Sequence, residues 1–266
     1  MSLDALNSVD KLLSLVDNAP IVEYRLLRPN EVAQALKLLS DAFQHGAIPD
    51  PPNSLLSHRL FTDIYYHWLE QLCKKNTHLC AVHKYSGEVV GLCCGEDYAD
   101  VDEISYDSVF LDVKKEKPSL EELMQLCYDL RKAFVDHERT HGHVWYIEMM
   151  AVDSRYRNLG IVTQLIKQSV ELAKSLKSQK SFHVVFAESN SDISLKCFKK
   201  CGFECRREIK YKDWESPKGS GRFPLKRYGQ IPLYDTFRLV FPIDNHFERS
   251  TKTKFVQFIK PVKKNA

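Results

Sequence analysis

Arg157 and Gly160 occupy a short turn between an apolar segment and an amphipathic one, and this arrangement could bind an anion. The segment before the turn, residues 144–152, is a nearly continuous apolar run, as in central strands covered on both faces. The segment after the turn has apolar residues at helical spacing. Unpaired amides at the helix N-terminus, the helix dipole and the arginine fork all favour negative charge. Glycine lets a phosphate approach the backbone, although a glycine here can also serve packing alone.

Glu148 is the only charged side chain in the apolar run. Strict alternation would place Glu148, Met150 and Val152 on one face of the strand. A carboxyl group in apolar surroundings has a raised pKa and can act as a general base. The alternative is a structural role, in which Glu148 pairs with a buried arginine or caps a loop.

The elements that must position these residues alternate along the chain, which predicts an α/β fold. Strand patterns cover residues 22–27, 77–84, 88–98, 144–152, 182–187, 203–214 and 233–240. Helical patterns cover residues 32–43, 54–75, 120–138, 166–176 and 193–200, and residues 99–118 look like an exposed insertion. We expect a helical extension at residues 1–20, one domain at 21–243 and a basic tail at 244–266.

The composition is that of an ordinary globular protein, with 266 residues, 44% hydrophobic and 27% charged, and a net charge of +3. This composition excludes a disordered or fibrous chain, and the near balance of charge gives no case for a nucleic-acid binder. The lysines of the tail could favour nucleic acid, but such terminal runs are typical of a solvated segment. No apolar run reaches the roughly 20 residues of a membrane span.

The eight cysteines are expected to be reduced thiols, because the chain is long and does not begin with a secretory signal. Their spacings do not suit a zinc site, so we expect no metal. Together these features predict a cytoplasmic protein.

Residues 145–214 resemble the core of the GNAT superfamily of N-acetyltransferases. The hallmark of that superfamily, Arg/Gln-x-x-Gly-x-Gly/Ala, follows a strand that ends in an apolar-x-Val-Asp/His signature. This chain has Ala151-Val152-Asp153, then Arg157-Asn158-Leu159-Gly160-Ile161-Val162, and later the aromatic-x-x-x-Gly-Phe ending from Phe198 to Phe203. The resemblance implies a single domain with a mixed central sheet flanked by helices. It also implies a cofactor cleft between the fourth and fifth core strands.

Within the superfamily the chain is most similar to the insect-type arylalkylamine N-acetyltransferases, which include dopamine acetyltransferases. The similar segments are Ala151–Asp153 with the Arg157 that follows, Ser194–Phe203 and Tyr211–Trp214. The acidic motif that this group carries after its first helix is absent here.

The resemblance implies that acetyl-CoA is the co-substrate. Its pantetheine would pair with the backbone of Met150 and Val152 as an added strand does, and its pyrophosphate would meet the turn amides. The implied cofactor-binding residues are Met150, Ala151, Val152, Arg157, Asn158, Leu159, Gly160, Ile161, Val162 and Thr163. Val162 departs from the family, which usually has Gly or Ala at that position.

The same resemblance implies two catalytic residues, Glu148 beside the thioester and Ser194 as the donor of a proton to the thiolate. Most relatives use a tyrosine as donor, but Phe198 has no proton to give. Ser194 lies one helical turn earlier and matches a serine of the arylalkylamine group. Ser191 is also within reach, but it is well placed as a helix N-cap.

His45 and Asp50 lie in the loop between the first two helices, where the acceptor would enter. They could bind a cationic amine or act as a substitute base, and the alternative is a solvated loop. A nearby aromatic stripe could line an aromatic acceptor pocket or belong to the core, and it consists of Phe61, Tyr65, Tyr66 and Trp68.

The predicted function is acetyl transfer from acetyl-CoA to a primary amine, a small arylalkylamine, by direct attack in a ternary complex. A protein acceptor is the alternative within this class, and it would need an open groove instead of a closed pocket. Val162, Phe198 and the missing acidic motif leave a second alternative, a catalytically inactive acyl-CoA-binding regulator. The expected partner is a small-molecule amine, without a membrane, and the sequence leaves the oligomeric state open.

Overall fold

The computed structural model describes residues 21–43, 58–101, 125–131, 140–176, 182–189, 191–210, 214 and 236–242. The strands are β1 (Val22–Leu26), β2 (His78–His83), β3 (Val89–Asp97), β4 (His143–Val152), β5 (Phe182–Ser189), β6 (Phe203–Lys210) and β7 (Thr236–Pro242). The helices are α1 (Val32–Ala42), α2 (His58–Lys74), α3 (Tyr98–Val101), α4 (Ile161–Ser175) and α5 (Asp192–Lys200). Residues 125–131 are also helical. The expected N-terminal extension and basic tail lie outside the described residues.

The strands form one seven-stranded sheet in the order β1-β2-β3-β4-β5-β7-β6. Strands β4 and β5 are parallel, and every other neighbouring pair is antiparallel. Helices pack on both faces, so the predicted α/β fold with a mixed, helix-flanked central sheet is confirmed.

The two faces of the sheet bury two separate apolar cores. The first core lies under α4, and its members include Trp145, Ile161, Leu165 and Phe182. The second core lies under α1 and α2 and is built on apolar side chains at helical spacing, Val32, Ala35, Leu36 and Leu39 from α1 and Leu69 and Leu72 from α2. Helical periodicity therefore identified the buried faces of these helices correctly.

Gly91 on β3 sets how closely the start of α4 approaches the sheet. A Cβ at this position would lie 2.8 Å from Ile161 Cγ2 and 3.2 Å from Leu165 Cδ1. Only glycine leaves room for these two side chains, so the N-terminal turn of α4 is seated directly on the sheet.

Two strands end earlier than their sequence patterns predict. The third strand stops at Asp97, whose carboxylate accepts a hydrogen bond from the Ala99 amide at 3.1 Å and begins helix α3. The described part of the sixth strand covers Phe203–Lys210, and Trp214, which lies outside any strand, donates its indole proton to Asp129 at 2.9 Å.

Candidate active site

The turn between β4 and α4 has the backbone shape that an anion site requires. Asp153 begins it by accepting a hydrogen bond from the Arg155 amide at 2.8 Å, and a short 3₁₀ turn follows over Ser154–Tyr156. Asn158 and Gly160 then adopt left-handed φ values of 65° and 78°. A Cβ on Gly160 would meet nothing within 4 Å, so packing alone does not explain this glycine. The left-handed backbone conformation at residue 160 explains why glycine is there, because glycine adopts it without strain.

The first turn of α4 begins without a side-chain cap. Gly160 is the N-cap residue, and the amide of Gln164 makes a helical bond to the Gly160 carbonyl at 3.0 Å. The amides of residues 161–163 precede that bond and point out of the helix end. Arg157, Asn158 and Leu159 are exposed beside them. Val162 packs against the first core, so its extra bulk lies on the core side of the turn.

Strands β4 and β5 separate halfway along their length. They pair from His143 to Ile147 of β4, and the last β5 partner is Ala187. Beyond this point β4 stays paired with β3, from Met149 to Val152, while β5 pairs with β7. The β5-facing edge of residues 148–152 therefore has no strand partner among the residues described, which confirms the cleft between the fourth and fifth strands.

Glu148 is the extra residue of a β-bulge. Ile147 pairs with Gly95 and Met149 pairs with Cys94, which leaves Glu148 without an opposite residue on β3. The bulge reverses the alternation of side chains. Trp145 and Ile147 belong to the first core, whereas Met149 and Ala151 belong to the second.

The expectation that Glu148 shares a face with Met150 and Val152 is therefore wrong. Met150 and Val152 pack against the first core. Glu148 interacts instead with Glu96. Glu96 and its cross-strand partner Tyr146 share the other face of the sheet. Strict alternation fails here because a bulge inserts one residue into the ladder.

Two further carboxyl groups interact with Glu148, and we call Glu96, Glu148 and Glu188 the acidic cluster. Burial raises the pKa of Tyr65 on α2 and of Tyr146 on β4, and the negative charge of Glu148 raises both further. Burial likewise raises the pKa of Glu188, with a smaller contribution from Glu148. Glu148 itself is half-buried at the open edge of β4.

Arg131, from the helical segment 125–131, compensates one member of the cluster. Its guanidinium forms an ion pair with Glu188 at 3.3 Å and lies over the rings of Tyr98 and Tyr146, at 5.6 and 5.7 Å from their centroids. Tyr146 donates its hydroxyl proton to Glu188 at 3.0 Å and stacks on Phe186 at 4.6 Å between centroids. The result is an aromatic and acidic environment on the Glu148 side of the sheet.

Ser194 lies in a group of hydroxyls at the start of α5, across the cleft from β4. Ser191 is the N-cap and accepts a hydrogen bond from the Ser194 amide at 3.2 Å, so its capping role is confirmed. The Ser194 hydroxyl donates to the Ser191 carbonyl at 2.9 Å and lies 2.7 Å from the Ser189 hydroxyl. Phe198 is fully buried and packs on Phe203.

The other candidates from the sequence have different outcomes. His45 and Asp50 lie outside the described residues. The aromatic stripe divides, because Phe61 and Trp68 are buried in the second core, Tyr66 is 43% exposed, and Tyr65 contacts Phe61 while facing Glu148.

The sequence reasoning missed Glu96, Glu188, Tyr146 and Arg131. Glu96 had a detectable signal, because it lies within the apolar run of β3 as Glu148 does within that of β4.

All eight cysteines are free thiols, and burial raises the pKa of Cys80 and Cys93 to about 12. Such thiols are poor nucleophiles at neutral pH. Within the described part of the chain, no group of side chains could hold a metal ion. No helix in the same residues is long and apolar enough to cross a bilayer.

Solved structures with the same fold include three whose names refer to amine chemistry. A mosquito arylalkylamine N-acetyltransferase like 5b is 18% identical, with a TM-score of 0.61 over 83% of this chain and 98% of that one. The polyamine N-acetyltransferase of Drosophila melanogaster is 14% identical, with a TM-score of 0.60 over 83% and 98%. The condensation domain of Ebony, bound to beta-alanyl-dopamine, is 12% identical, with a TM-score of 0.63 over 83% and 97%. At these identities the likeness shows the fold.

The sequence matches no curated protein at a significant level. It does match the family model of the acetyltransferase (GNAT) family over residues 40–203, which is more than half of the chain. The matched region includes the split of β4 and β5, Glu148 and the turn before α4. The chain therefore belongs to the GNAT family of N-acetyltransferases.

Proposed function

We propose that this protein transfers an acetyl group from acetyl-CoA to a primary amine, a small arylalkylamine, by direct attack in a ternary complex. One observation carries the proposal. The bulge places the Glu148 carboxyl group at the open edge of β4, a few residues before a turn built for an anion. The proposed base and the proposed phosphate site thus lie on one short stretch of chain.

The residues of the turn and of β4 fit acetyl-CoA. The free edge of Met150–Val152 offers backbone groups to an extended chain that carries amides, as an added strand would. The amides of residues 161–163, the α4 dipole and the exposed Arg157 favour a pyrophosphate. When bound, acetyl-CoA supplies a thioester whose carbonyl carbon an amine can attack.

Glu148 is the proposed general base. An amine is mostly protonated at neutral pH and must lose a proton before it can attack. The acidic cluster attracts a cation, and Arg131 compensates the charge of Glu188, so Glu148 is the carboxylate proposed to receive the proton. Tyr65, which is only partly buried, offers aromatic surface beside it, and this favours an arylalkylamine as acceptor.

Ser194 is the proposed donor of a proton to the departing thiolate. Its hydroxyl is tied to Ser189 and Ser191, and these contacts orient it at the N-terminus of α5. A helix N-terminus also stabilises the negative charge of a thiolate. His45 and Asp50 stay proposed acceptor-binding residues, and their variants test them directly.

The proposal extends to the context of the protein. We propose a cytoplasmic location, which the free cysteines support, and a domain that spans residues 21–243. The proposed partner is a small-molecule amine.

The decisive experiment measures the release of free CoA from acetyl-CoA in the presence of arylalkylamines, polyamines, amino acids and peptides. We expect turnover with arylalkylamines such as tyramine and dopamine. Turnover with peptides alone would make the protein a protein N-acetyltransferase. Binding of acetyl-CoA without turnover of any acceptor would make it an acyl-CoA-binding regulator. Either result would overturn the proposal.

A further inference from the structure

Glu96 is a second carboxyl group in direct reach of Glu148, and it comes from the neighbouring strand. It lies on β3 opposite Tyr146, beside the bulge, with 1% of its surface exposed. Glu148 interacts with it both as a charge and as a hydrogen-bond partner. No N–H or O–H group of the described residues donates a hydrogen bond to either Glu96 oxygen, and both oxygens are buried.

The surroundings decide which of the two carboxyl groups holds a proton. Burial, and then the charge of Glu148, raise the pKa of Glu96 well above its usual range, while Lys75 lowers it and Asp100 raises it by smaller amounts. The other titratable groups around the pair are Tyr65 of α2, Cys94 of β3, Cys127 and Arg131 of the segment 125–131, Tyr146 of β4 and Glu188 of β5. Two adjacent buried carboxyl groups do not both ionise, and the more buried one keeps the proton.

We propose that Glu96 is a positioning residue, which carries the proton of the pair at neutral pH and donates it in a hydrogen bond to the Glu148 carboxylate. Such a bond favours the charged form of its acceptor and fixes its orientation. The inference rests on the proposed function for the role of Glu148 as base, but the protonation of Glu96 requires no substrate.

The partner of Glu188 is a cation, whereas the proposed partner of Glu148 is a neutral, protonated carboxyl group. Glu188 receives the guanidinium of Arg131, so the negative charge of that carboxylate is compensated inside the protein. A protonated carboxyl group brings no positive charge. In the proposed arrangement Glu96 therefore orients the Glu148 carboxylate without adding a cation beside it.

Two substitutions of Glu96 separate a hydrogen-bond donor from a carboxyl group. Glu96→Gln keeps a neutral donor, whereas Glu96→Leu removes it at similar volume. We expect the acidic limb of the kcat/KM profile to move to higher pH by about one to two units in Glu96→Leu. In Glu96→Gln it should stay close to that of the parent. The assay uses acetyl-CoA with the best acceptor among tyramine, dopamine and tryptamine.

Glu31→Gln is the matched control. Glu31 is another buried carboxyl group, 7% exposed, but it is paired with Arg25 at the β1 edge of the sheet. Its loss should leave the acidic limb in place. A folded Glu96→Leu variant with an unshifted limb would show that Glu96 does not position Glu148.

Infrared difference spectroscopy tests the proton itself, without substrate. At neutral pH the parent should show the carbonyl stretch of a protonated, buried carboxyl group, which Glu96→Gln removes and Glu31→Gln retains. Identical spectra of the parent and Glu96→Gln in this region would mean that Glu96 is ionised, and the inference would be wrong. If the band is present but no amine is acetylated, the proposed function fails while the protonation of Glu96 stands.

Discussion

Substitutions of Gly160 separate the shape of the turn before α4 from its charge. Alanine at this position loses no packing, because its Cβ meets open space, but it must adopt a φ of 78°. That conformation costs about 1–2 kcal/mol for an ordinary residue. Asparagine tolerates it, as Asn158 already shows with a φ of 65°. Aspartate also tolerates it, and its charge at the α4 N-terminus stabilises the unliganded helix by about 0.3–1 kcal/mol. We therefore expect Gly160→Ala to be the least stable variant in thermal unfolding.

The affinities of the Gly160 variants for acetyl-CoA should not follow the order of their thermal stabilities. A negative charge about 4 Å from a phosphate charge costs about 1 kcal/mol in water and about 4 kcal/mol near a protein surface. These values correspond to about 5-fold to about 10³-fold weaker binding by Gly160→Asp. Gly160→Asn should bind close to the parent level. Calorimetric titration with acetyl-CoA measures both. Equal affinities of the folded Asn and Asp variants would refute the assignment of this turn to an anion.

Four further predictions concern the base, the thiols and two ion pairs. Glu148→Gln should bind acetyl-CoA normally but lower turnover by about 10²–10⁴ and flatten the acidic limb of the pH–rate profile; parental turnover would make Glu148 structural. Mixing the enzyme with acetyl-CoA alone should give no acylated protein in mass spectrometry, and an acylated cysteine would contradict direct attack. Arg131→Met should lower the free energy of unfolding by about 3–5 kcal/mol in urea titration, because Glu188 is left buried without its cation; a loss below about 1 kcal/mol would contradict this. Arg25 holds the pKa of Glu31 below its ordinary 4.5, so the stabilisation is complete above that value and is lost as the pH falls through the lower, folded-state pKa. The difference in unfolding free energy between the parent and Glu31→Gln should shrink in that acidic range, and a constant difference would exclude the effect.

The turn before α4 could be predicted from the sequence because its determinants are local. Arg157 and Gly160 lie within one short stretch, and a left-handed glycine before a helix needs no distant partner to be recognised. The continuous apolar run of β4 likewise predicted a central strand. The same locality explains why helix faces such as that of α1 were assigned correctly.

The face of Glu148 could not be predicted, because the bulge arises from the pairing of β4 with β3. Nothing within residues 144–152 reveals that Ile147 and Met149 oppose consecutive residues of the neighbouring strand. The ion pair of Arg131 with Glu188 is similarly long-range, since it joins a helical segment to a strand more than fifty positions later. Glu96 stood out as a charge in an apolar strand, but its partner follows only from the sheet order.

Because of the bulge in β4, the side chain at position 148 takes no part in the packing of the two cores. Trp145 and Ile147 before it belong to the first core, Met149 and Ala151 after it belong to the second, and Glu148 itself belongs to neither. Exchanging the side chain at this position therefore disturbs neither set of apolar contacts. Deleting the residue would remove the bulge and join Ile147 to Met149, which already oppose consecutive residues of β3, so strict alternation would keep Met149 and Ala151 on the second core. The packing of the two cores thus requires neither the side chain of Glu148 nor the extra residue itself, and both are free to serve the site at the open edge of β4.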